Sequence, residues 1–93
     1  FHKAAEQGHV IAQLNLGVSY NFGMGVERNY TEAVKWFRMA AEQGNPDAQA
    51  YMGHAYAYGQ GVKKNSAEAL RWFQAACAQG MEQACKSIRR HDF

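Results

Sequence analysis

An internal repeat of 36 residues constrains this chain more than any other feature of its sequence. When residues 8–43 are placed over residues 44–79, 15 of the 36 positions are identical without a gap. A fixed period of this length is typical of a solenoid, in which each unit buries its apolar face by stacking on its neighbours. Solenoids mostly present surfaces to partners, so the repeat favours a binding function over catalysis.

The first half of each unit has the pattern of an amphipathic helix, which we call helix A. In the second unit Ala48, Met52 and Tyr56 recur every four residues and predict one apolar stripe. Asn45 fits the N-cap of this helix, and Pro46 suits the first helical position, where no N–H partner is needed.

The second half of each unit predicts another helix, helix B, after a glycine-containing loop. Its start carries the capping-box pattern at Asn29/Glu32 and again at Asn65/Glu68, and a glycine follows its end. In the second unit the apolar stripe of helix B consists of Ala69, Trp72, Phe73 and Ala76. The sequence therefore predicts an antiparallel helix pair in every unit.

These patterns predict an all-α fold, an α/α solenoid with a 36-residue repeat. Helix A is expected at 10–22, 46–58 and 81–91, and helix B at 30–43 and 66–79. The chain is then a single repeat domain over residues 1–93. Its parts are the tail of a preceding helix B (1–7), two full units (8–43 and 44–79) and a C-terminal capping helix (80–93).

Two glycines in the middle of helix A indicate close packing. Gly17 and Gly53 each cost the helix about 1 kcal/mol relative to alanine, a cost that is tolerable if helix B approaches closely there. Trp36 or Trp72 is expected to fill the space alongside. The third unit has Arg89 at this position, where we expect a capping helix without a following helix B and therefore no close approach.

The repeated motif resembles the Sel-one-like repeat family, a relative of the tetratricopeptide repeat. The family pattern A-x-x-x-L-G-x-x-Y-x-x-G-x-G-V appears here from Ala12 to Val26, and N-x-x-E-A-x-x-W-F-x-x-A-A-x-Q-G appears from Asn29 to Gly44. The resemblance covers essentially the whole chain. It implies an α/α solenoid that acts as a scaffold for protein complexes and leaves the partner open.

Two cysteines flank the predicted turn at Gly80. Cys77 and Cys85 can face each other across an antiparallel helix pair, and the spacing is similar to that of the cysteine-rich bacterial branch of the family. A disulfide between them would imply an oxidising compartment, periplasmic or secreted. The alternative is that Cys77 merely replaces the small Ala41, and that Cys85 is incidental at the Gln49 position, which leaves a cytoplasmic location open.

No catalytic, metal-binding or cofactor-binding pattern emerges from the sequence. The histidines lack metal-ligand spacing, and the G-x-G pairs lack the context of a phosphate loop. A net charge of +2 is too small to indicate nucleic acid, and the apolar runs are too short to span a membrane. Some cysteine-rich relatives are labelled β-lactamases or penicillin binders, but no S-x-x-K motif supports that activity here.

The face of helix A opposite its core stripe is the best candidate for a partner site. A helical wheel with Leu16 and Met52 in the core leaves several large apolar residues on that face of the first unit. Such residues are unexpected on a surface that faces solvent and indicate an interaction site. The candidate contact residues are Leu14, Val18, Phe22, His54, Tyr58, Lys86 and Arg90. The alternative is that part of this stripe packs on loop residues such as Met24 or on a preceding repeat.

The sequence thus predicts a non-catalytic module that binds a protein or peptide on the concave helix-A face. Lys86 and Arg90 are expected to receive an acidic group. Two other functions remain open: an enzyme of cell-wall or β-lactam chemistry, and a structural spacer within a longer repeat array.

Overall fold

The repeat folds into a series of antiparallel helices, as the sequence predicts. The computed structural model describes the backbone of residues 2–90 and the side chains of residues 9–90. The helices are α1 (His2–Phe22), α2 (Tyr30–Glu42), α3 (Pro46–Tyr58), α4 (Ser66–Ala78) and α5 (Glu82–Arg90). Each packs mainly on the next helix along the chain. The all-α solenoid is confirmed; His91, the predicted last residue of the final helix, lies outside the described residues.

The start of the chain differs from the prediction. The sequence predicts the end of one helix at residue 7 and a new helix from residue 10, but α1 continues without a break from His2 to Phe22. The reason is local, because Gly8-His9-Val10 stands where the second unit has Gly44-Asn45-Pro46. A glycine alone weakens a helix by about 1 kcal/mol without ending it, whereas the Asn-Pro pair provides a new start.

Asparagine caps the start of each later helix in the two full units. The side-chain oxygen of Asn29 accepts from the Glu32 N–H at 3.1 Å, and Asn65 accepts from Glu68 at the same distance. In a complete capping box the Glu32 side chain would accept from the Asn29 backbone N–H. Here that N–H donates instead to the carbonyl of Tyr20 at 2.9 Å. The cap residue thus ties the start of helix B to the end of helix A.

Glycine after each helix B allows the chain to reverse. Gly44 and Gly80 have φ values of 93° and 90°, in the left-handed region that side chains disfavour. The Asn45 N–H then donates back to the Ala40 carbonyl at 3.2 Å, which satisfies one of the last free carbonyls of α2. The predicted helix ends at these glycines are confirmed.

The core consists of two clusters in sequence along the solenoid. The first core cluster joins α1, α2 and α3 through Val10, Ala33, Val34, Phe37, Ala40, Ala41, Ala48, Met52 and Ala55. The second core cluster joins α3, α4 and α5 through Ala57, Ala69, Phe73, Ala76 and Ala84. Most of these residues are alanines, so the helices approach closely around a few large side chains, chiefly Phe37, Phe73 and Met52.

Phenylalanine, and not tryptophan, packs against the mid-helix glycines. A Cβ atom placed on Gly17 would lie 2.6 Å from the ring of Phe37, and one on Gly53 would lie 2.7 Å from the ring of Phe73. Trp36 and Trp72 are only half-buried. The predicted close approach is confirmed, but its expected partner is wrong. Adjacent residues point about 100° apart around a helix, so only one member of each Trp-Phe pair can face the glycine.

Leu16 is also placed differently from the prediction that set it in the core. Its side chain is 41% exposed, although Met52 at the same position of the second unit is completely buried. Met52 packs with residues of α2, and Ile88, the third equivalent, packs on the cluster that contains α4 residues. Among the described residues no helix precedes α1, so Leu16 has no corresponding surface to cover it.

A pair of glutamines joins the two helices of each full unit. The Gln43 side-chain amide donates to the side-chain oxygen of Gln13 at 2.7 Å, and Gln79 donates to Gln49 at 2.8 Å. The two pairs occupy the same positions of the repeat. Their identity in both units therefore has a structural reason, because each pair fixes the register of helix B against helix A.

Candidate functional site

The candidate site consists of three positions of helix A that recur in successive units. We call this surface the helix-A face; it comprises Leu14, Ala50 and Lys86 at one position, Val18, His54 and Arg90 at the next, and Phe22 and Tyr58 at the last. Because the positions are four residues apart, they follow one side of α1, α3 and α5. The side chains change from apolar in the first unit to cationic in the third.

Two of the predicted anchors in the first unit belong partly to the core. Leu14 and Val18 are half-buried and pack against the first core cluster. Leu14 lies between Val10 and Gly17 at helical spacings of four and three, so it shares the side of α1 that faces α2. The expectation that Leu14 and Val18 point away from the core is therefore wrong. Both pack on neighbouring structure, as the alternative interpretation expected, although what they pack on is the first core cluster.

Phe22 remains on the surface but is held in place. Its side chain is 51% exposed, and its ring makes an edge contact with Tyr51 at 6.4 Å between centroids. Tyr51 in turn stacks on the buried Phe37 at 4.5 Å, with the ring planes 5° apart. The exposed ring is thus connected to the core through an intermediate aromatic residue.

Tyr51 is a contributor that the sequence reasoning missed. It stands where the first unit has Asn15, so it departs from the repeat pattern and was not part of any predicted stripe. An aromatic residue at a position that is polar in the neighbouring unit was the available signal.

The second unit presents a similar aromatic arrangement. Tyr58 is 64% exposed, and its ring lies parallel to that of His54 at 6.0 Å. His54 also makes a T-shaped contact with Phe73, with 5.1 Å between the ring centroids. Although part of the imidazole is exposed, these rings remove water from its remainder, and this desolvation lowers the pKa of His54 from its usual value of 6.5. The histidine is accordingly neutral at pH 7 and contributes an aromatic surface rather than a charge.

The third unit supplies two exposed cations. Lys86 lies 3.7 Å from Glu82 one turn earlier, with both side chains largely exposed. A surface pair of this kind contributes little and leaves the ammonium group available. Arg90 is exposed and forms no ion pair within the part of the chain that the structure describes.

A disulfide holds the cationic end of the face in place. Cys77 of α4 is bonded to Cys85 of α5, with 4.9 Å between their Cα atoms, as predicted. The equivalent residues one unit earlier are Ala41 and Gln49, where the Gln49 amide donates to the Ala41 carbonyl at 3.2 Å. The covalent bond therefore replaces a hydrogen bond between the same two positions of the repeat.

Two features are absent from the residues that the structure describes. Within residues 9–90, no three His, Cys, Asp or Glu side chains come together as a set of metal ligands. In the same part of the chain, no helix combines the length and apolar character needed to cross a membrane.

Comparison with known proteins places the chain in a family. The Sel1 repeat model matches residues 1–9, 10–45 and 46–81. The chain belongs to the Sel1 repeat family. Sel1 repeats generally serve as protein-interaction scaffolds and are typically non-enzymatic. No curated protein matches the chain.

Solved structures of Sel1 repeat proteins superpose closely on this one. The c5321 protective antigen of uropathogenic Escherichia coli, which displays an SLR fold, is 45% identical over 94% of this chain, with a TM-score of 0.85. A Sel1 repeat protein from Oxalobacter formigenes is 46% identical over 94%, with a TM-score of 0.82. Cysteine-rich protein B of Helicobacter pylori is 29% identical over 91%, with a TM-score of 0.80.

All three of these proteins are longer than this chain. The matched regions span 19%, 36% and 64% of their respective lengths. The disulfide and the similarity to a cysteine-rich Sel1 protein together point towards a location outside the cytoplasm.

Proposed function

We propose that this Sel1 repeat chain is a non-catalytic module that binds a protein or peptide along the concave helix-A face. The observation that carries the proposal is the pair Phe22 and Tyr58. Both are aromatic, both occupy the last position of helix A, and both are more than half exposed although ring contacts hold them in place. Exposed aromatic residues at equivalent positions of adjacent repeats are suited to contacting one extended partner.

The ring contacts favour binding because they reduce its entropic cost. Immobilising a flexible side chain at an interface costs about 0.5–1.5 kcal/mol. Tyr51 and His54 already restrict Phe22 and Tyr58, so less of this cost remains to be met. Aromatic residues that are anchored in this way are frequent among the residues that dominate interface energetics.

The change from apolar to cationic side chains along the helix-A face sets the orientation of the proposed partner. Apolar and aromatic groups of the partner contact Phe22 and Tyr58, while Lys86 and Arg90 at the other end receive an acidic group. Exposed cations of this kind affect the association rate and its salt dependence more than the final affinity. Leu14 and Val18 contribute through their exposed fraction and mainly by supporting the face from the core.

The proposed location of the protein is the periplasm or the exterior of the cell. The Cys77–Cys85 bond is the basis, since thiols in the cytoplasm are generally kept reduced. Disulfide-bonded helices that carry an exposed binding face suit a module that meets its partner in an oxidising compartment.

A peptide selection followed by substitution tests the proposed function. Peptides selected from a random displayed library on the oxidised protein should lose more than tenfold in affinity for Phe22→Ala and Tyr58→Ala, as expected for anchors worth about 2 kcal/mol. Melting temperatures of both variants should stay close to that of the parent protein. Met24→Ala is the matched control, because Met24 is apolar and 60% exposed but lies outside the helix-A face.

Three outcomes would contradict the proposal. Peptides that bind equally well to the Phe22 and Tyr58 variants would move the site elsewhere on the chain. Failure to select any peptide would favour the structural-spacer function. A stoichiometric covalent adduct with a labelled penicillin would identify an enzyme of the β-lactam class.

A further inference from the structure

A second candidate surface involves α2, a helix B, whereas the helix-A face is formed by α1, α3 and α5. A cleft of about 390 Å³ opens between α2 and the loop that connects α3 to α4. We call it the α2 cleft; its relevant lining residues are Val34, Lys35, Arg38, Met39, Glu42 and Val62. Its size falls within the range of sites that hold small ligands or short peptide segments. None of these residues belongs to the helix-A face.

The base of the α2 cleft is apolar. Val34 is 6% exposed and belongs to the first core cluster, and the half-buried Val62 packs against the same cluster from the loop. Met39 is half-buried one turn further along α2. Val34 and Val62 are stiff, branched residues held by the core, so this part of the cleft is preformed, while the unbranched Met39 can adapt to a ligand.

Two cations border this apolar base, and one of them is oriented. The Arg38 guanidinium donates to the hydroxyl of Tyr56 at 2.8 Å, a contact that bridges α2 and α3. Among the described residues neither Arg38 nor Lys35 has a carboxylate partner. Tyr56 thus holds the guanidinium at the rim without neutralising its charge, and four of its five N–H donors remain available.

The neighbouring unit shows that this arrangement is specific to α2. The equivalents of Lys35 and Arg38 on α4 are Arg71 and Gln74. Arg71 is paired with Glu68 at 3.3 Å, and Gln74 carries no charge. The same surface of the next repeat therefore lacks the two free cations, although its helix follows the same pattern.

We propose that the α2 cleft binds a peptide segment in which an acidic side chain stands next to an aliphatic one. The carboxylate would accept hydrogen bonds from Arg38 and Lys35, which are complementary to it in charge. The aliphatic side chain would lie on Val34, Met39 and Val62. Glu42 at the far end of the cleft disfavours a second acidic group, so the segment carries one acidic residue rather than a run of them. The proposal is independent of binding at the helix-A face.

An NMR titration tests this assignment directly. The probe is the peptide Ser-Gly-Leu-Glu-Gly-Ser with blocked ends, added to ¹⁵N-labelled, oxidised protein. We expect saturable shifts of the amide signals of Lys35, Arg38 and Val62, with signals of Phe22 and Tyr58 unchanged. The same peptide with Gln in place of Glu should bind at least about fivefold more weakly, because it loses a charge-assisted contact.

Variants on the two equivalent helices provide the matched comparison. Arg38→Gln should weaken binding of the acidic peptide by about fivefold or more, whereas Arg71→Gln on α4 should leave it unchanged. If Arg38→Gln lowers the melting temperature, Lys35→Gln replaces it as the test variant, because it keeps the Arg38–Tyr56 contact. It should also weaken binding of the acidic peptide.

Several results would overturn the proposal. One is equal binding of the acidic and Gln peptides, and another is a set of shifts confined to the helix-A face. If inorganic phosphate alone moves the same signals with the affinity of the peptide, the cleft is a general anion site and recognises no peptide. An absence of shifts at millimolar peptide would also refute it.

Discussion

Replacing Gly53 with alanine tests the closest helix–helix contact in the structure. On an exposed helix this change would stabilise the protein by about 1 kcal/mol, because alanine is the better helix former. Here the new methyl group would lie 2.7 Å from the Phe73 ring, well inside van der Waals contact. Phe73 is 1% exposed, and the His54 ring is in T-shaped contact with it, so the Phe73 ring has little room to move.

The two effects oppose each other, and the structure indicates which is larger. Overpacking a tight core costs about 1–3 kcal/mol, and the upper part of this range applies because the obstructing group is a buried ring. Subtracting the gain in helix propensity leaves a net destabilisation of about 1–2 kcal/mol for Gly53→Ala. Urea unfolding followed by circular dichroism measures this free energy, and an unchanged m-value confirms that the comparison is valid.

A double-mutant cycle with Phe73→Leu isolates the contact. Leucine removes the Cε1 and Cζ atoms that the new methyl group would meet, and its δ-carbons can rotate away from the planar position that the ring imposes on Cδ1. Gly53→Ala should therefore become neutral or stabilising in the Phe73→Leu background. The coupling energy should then be about 2 kcal/mol, within the range for residues in direct contact. If Gly53→Ala stabilises the parent protein by about 1 kcal/mol, as propensity alone predicts, the argument from close packing is refuted.

Two further predictions concern the second and third units. Reduction of Cys77–Cys85 should lower the free energy of unfolding by about 2–3 kcal/mol and raise amide exchange first in α5. If a Cys77→Ala/Cys85→Ala variant has the same free energy of unfolding as the oxidised protein, the bond contributes nothing to stability. Because burial lowers the pKa of His54, the folded protein binds this proton less readily than the unfolded chain, so stability should fall as pH drops below about 6.5 and the effect should vanish above it. His54→Gln should lose this part of the pH dependence in thermal melts, and identical pH profiles for the two proteins would contradict the assignment.

The local features of the fold could be read from the sequence because they depend on neighbouring residues. Asparagine at a helix start and glycine at a helix end act within one turn. Asn29 and Asn65 accept from the backbone as predicted N-caps, although their own N–H groups bond to helix A instead of to a glutamate, and Gly44 and Gly80 end their helices as predicted. The same reasoning explains the error at the chain start. The repeat predicted a new helix after residue 7, although Gly8 is not followed by the Asn-Pro pair that starts the equivalent helix one unit later.

The candidate site could be predicted only in outline, since exposure depends on which helices surround a residue. Helical spacing correctly placed Phe22 and Tyr58 on the surface. It placed Leu14 and Val18 on the same surface, although both pack against the first core cluster. The role of Tyr51 was not predictable from the spacing of one helix. Its ring bridges Phe22 of α1 and Phe37 of α2, and such a contact exists only when three helices are assembled.

The sequence by itself determined the period, the helix pair in each unit, the helix ends and the cysteine pair across the last turn. Each of these follows from residues close together in the chain or from the comparison of one unit with the next. Only the tertiary structure decided that phenylalanine rather than tryptophan meets the glycines, that Leu16 is exposed while Met52 is buried, and that Arg38 bonds to the hydroxyl of Tyr56 beside an apolar cleft. The physical reason is that a repeat assigns equivalent residues equivalent positions on a helix, whereas burial and pairing depend on the helix that packs beside them, which differs from one unit to the next.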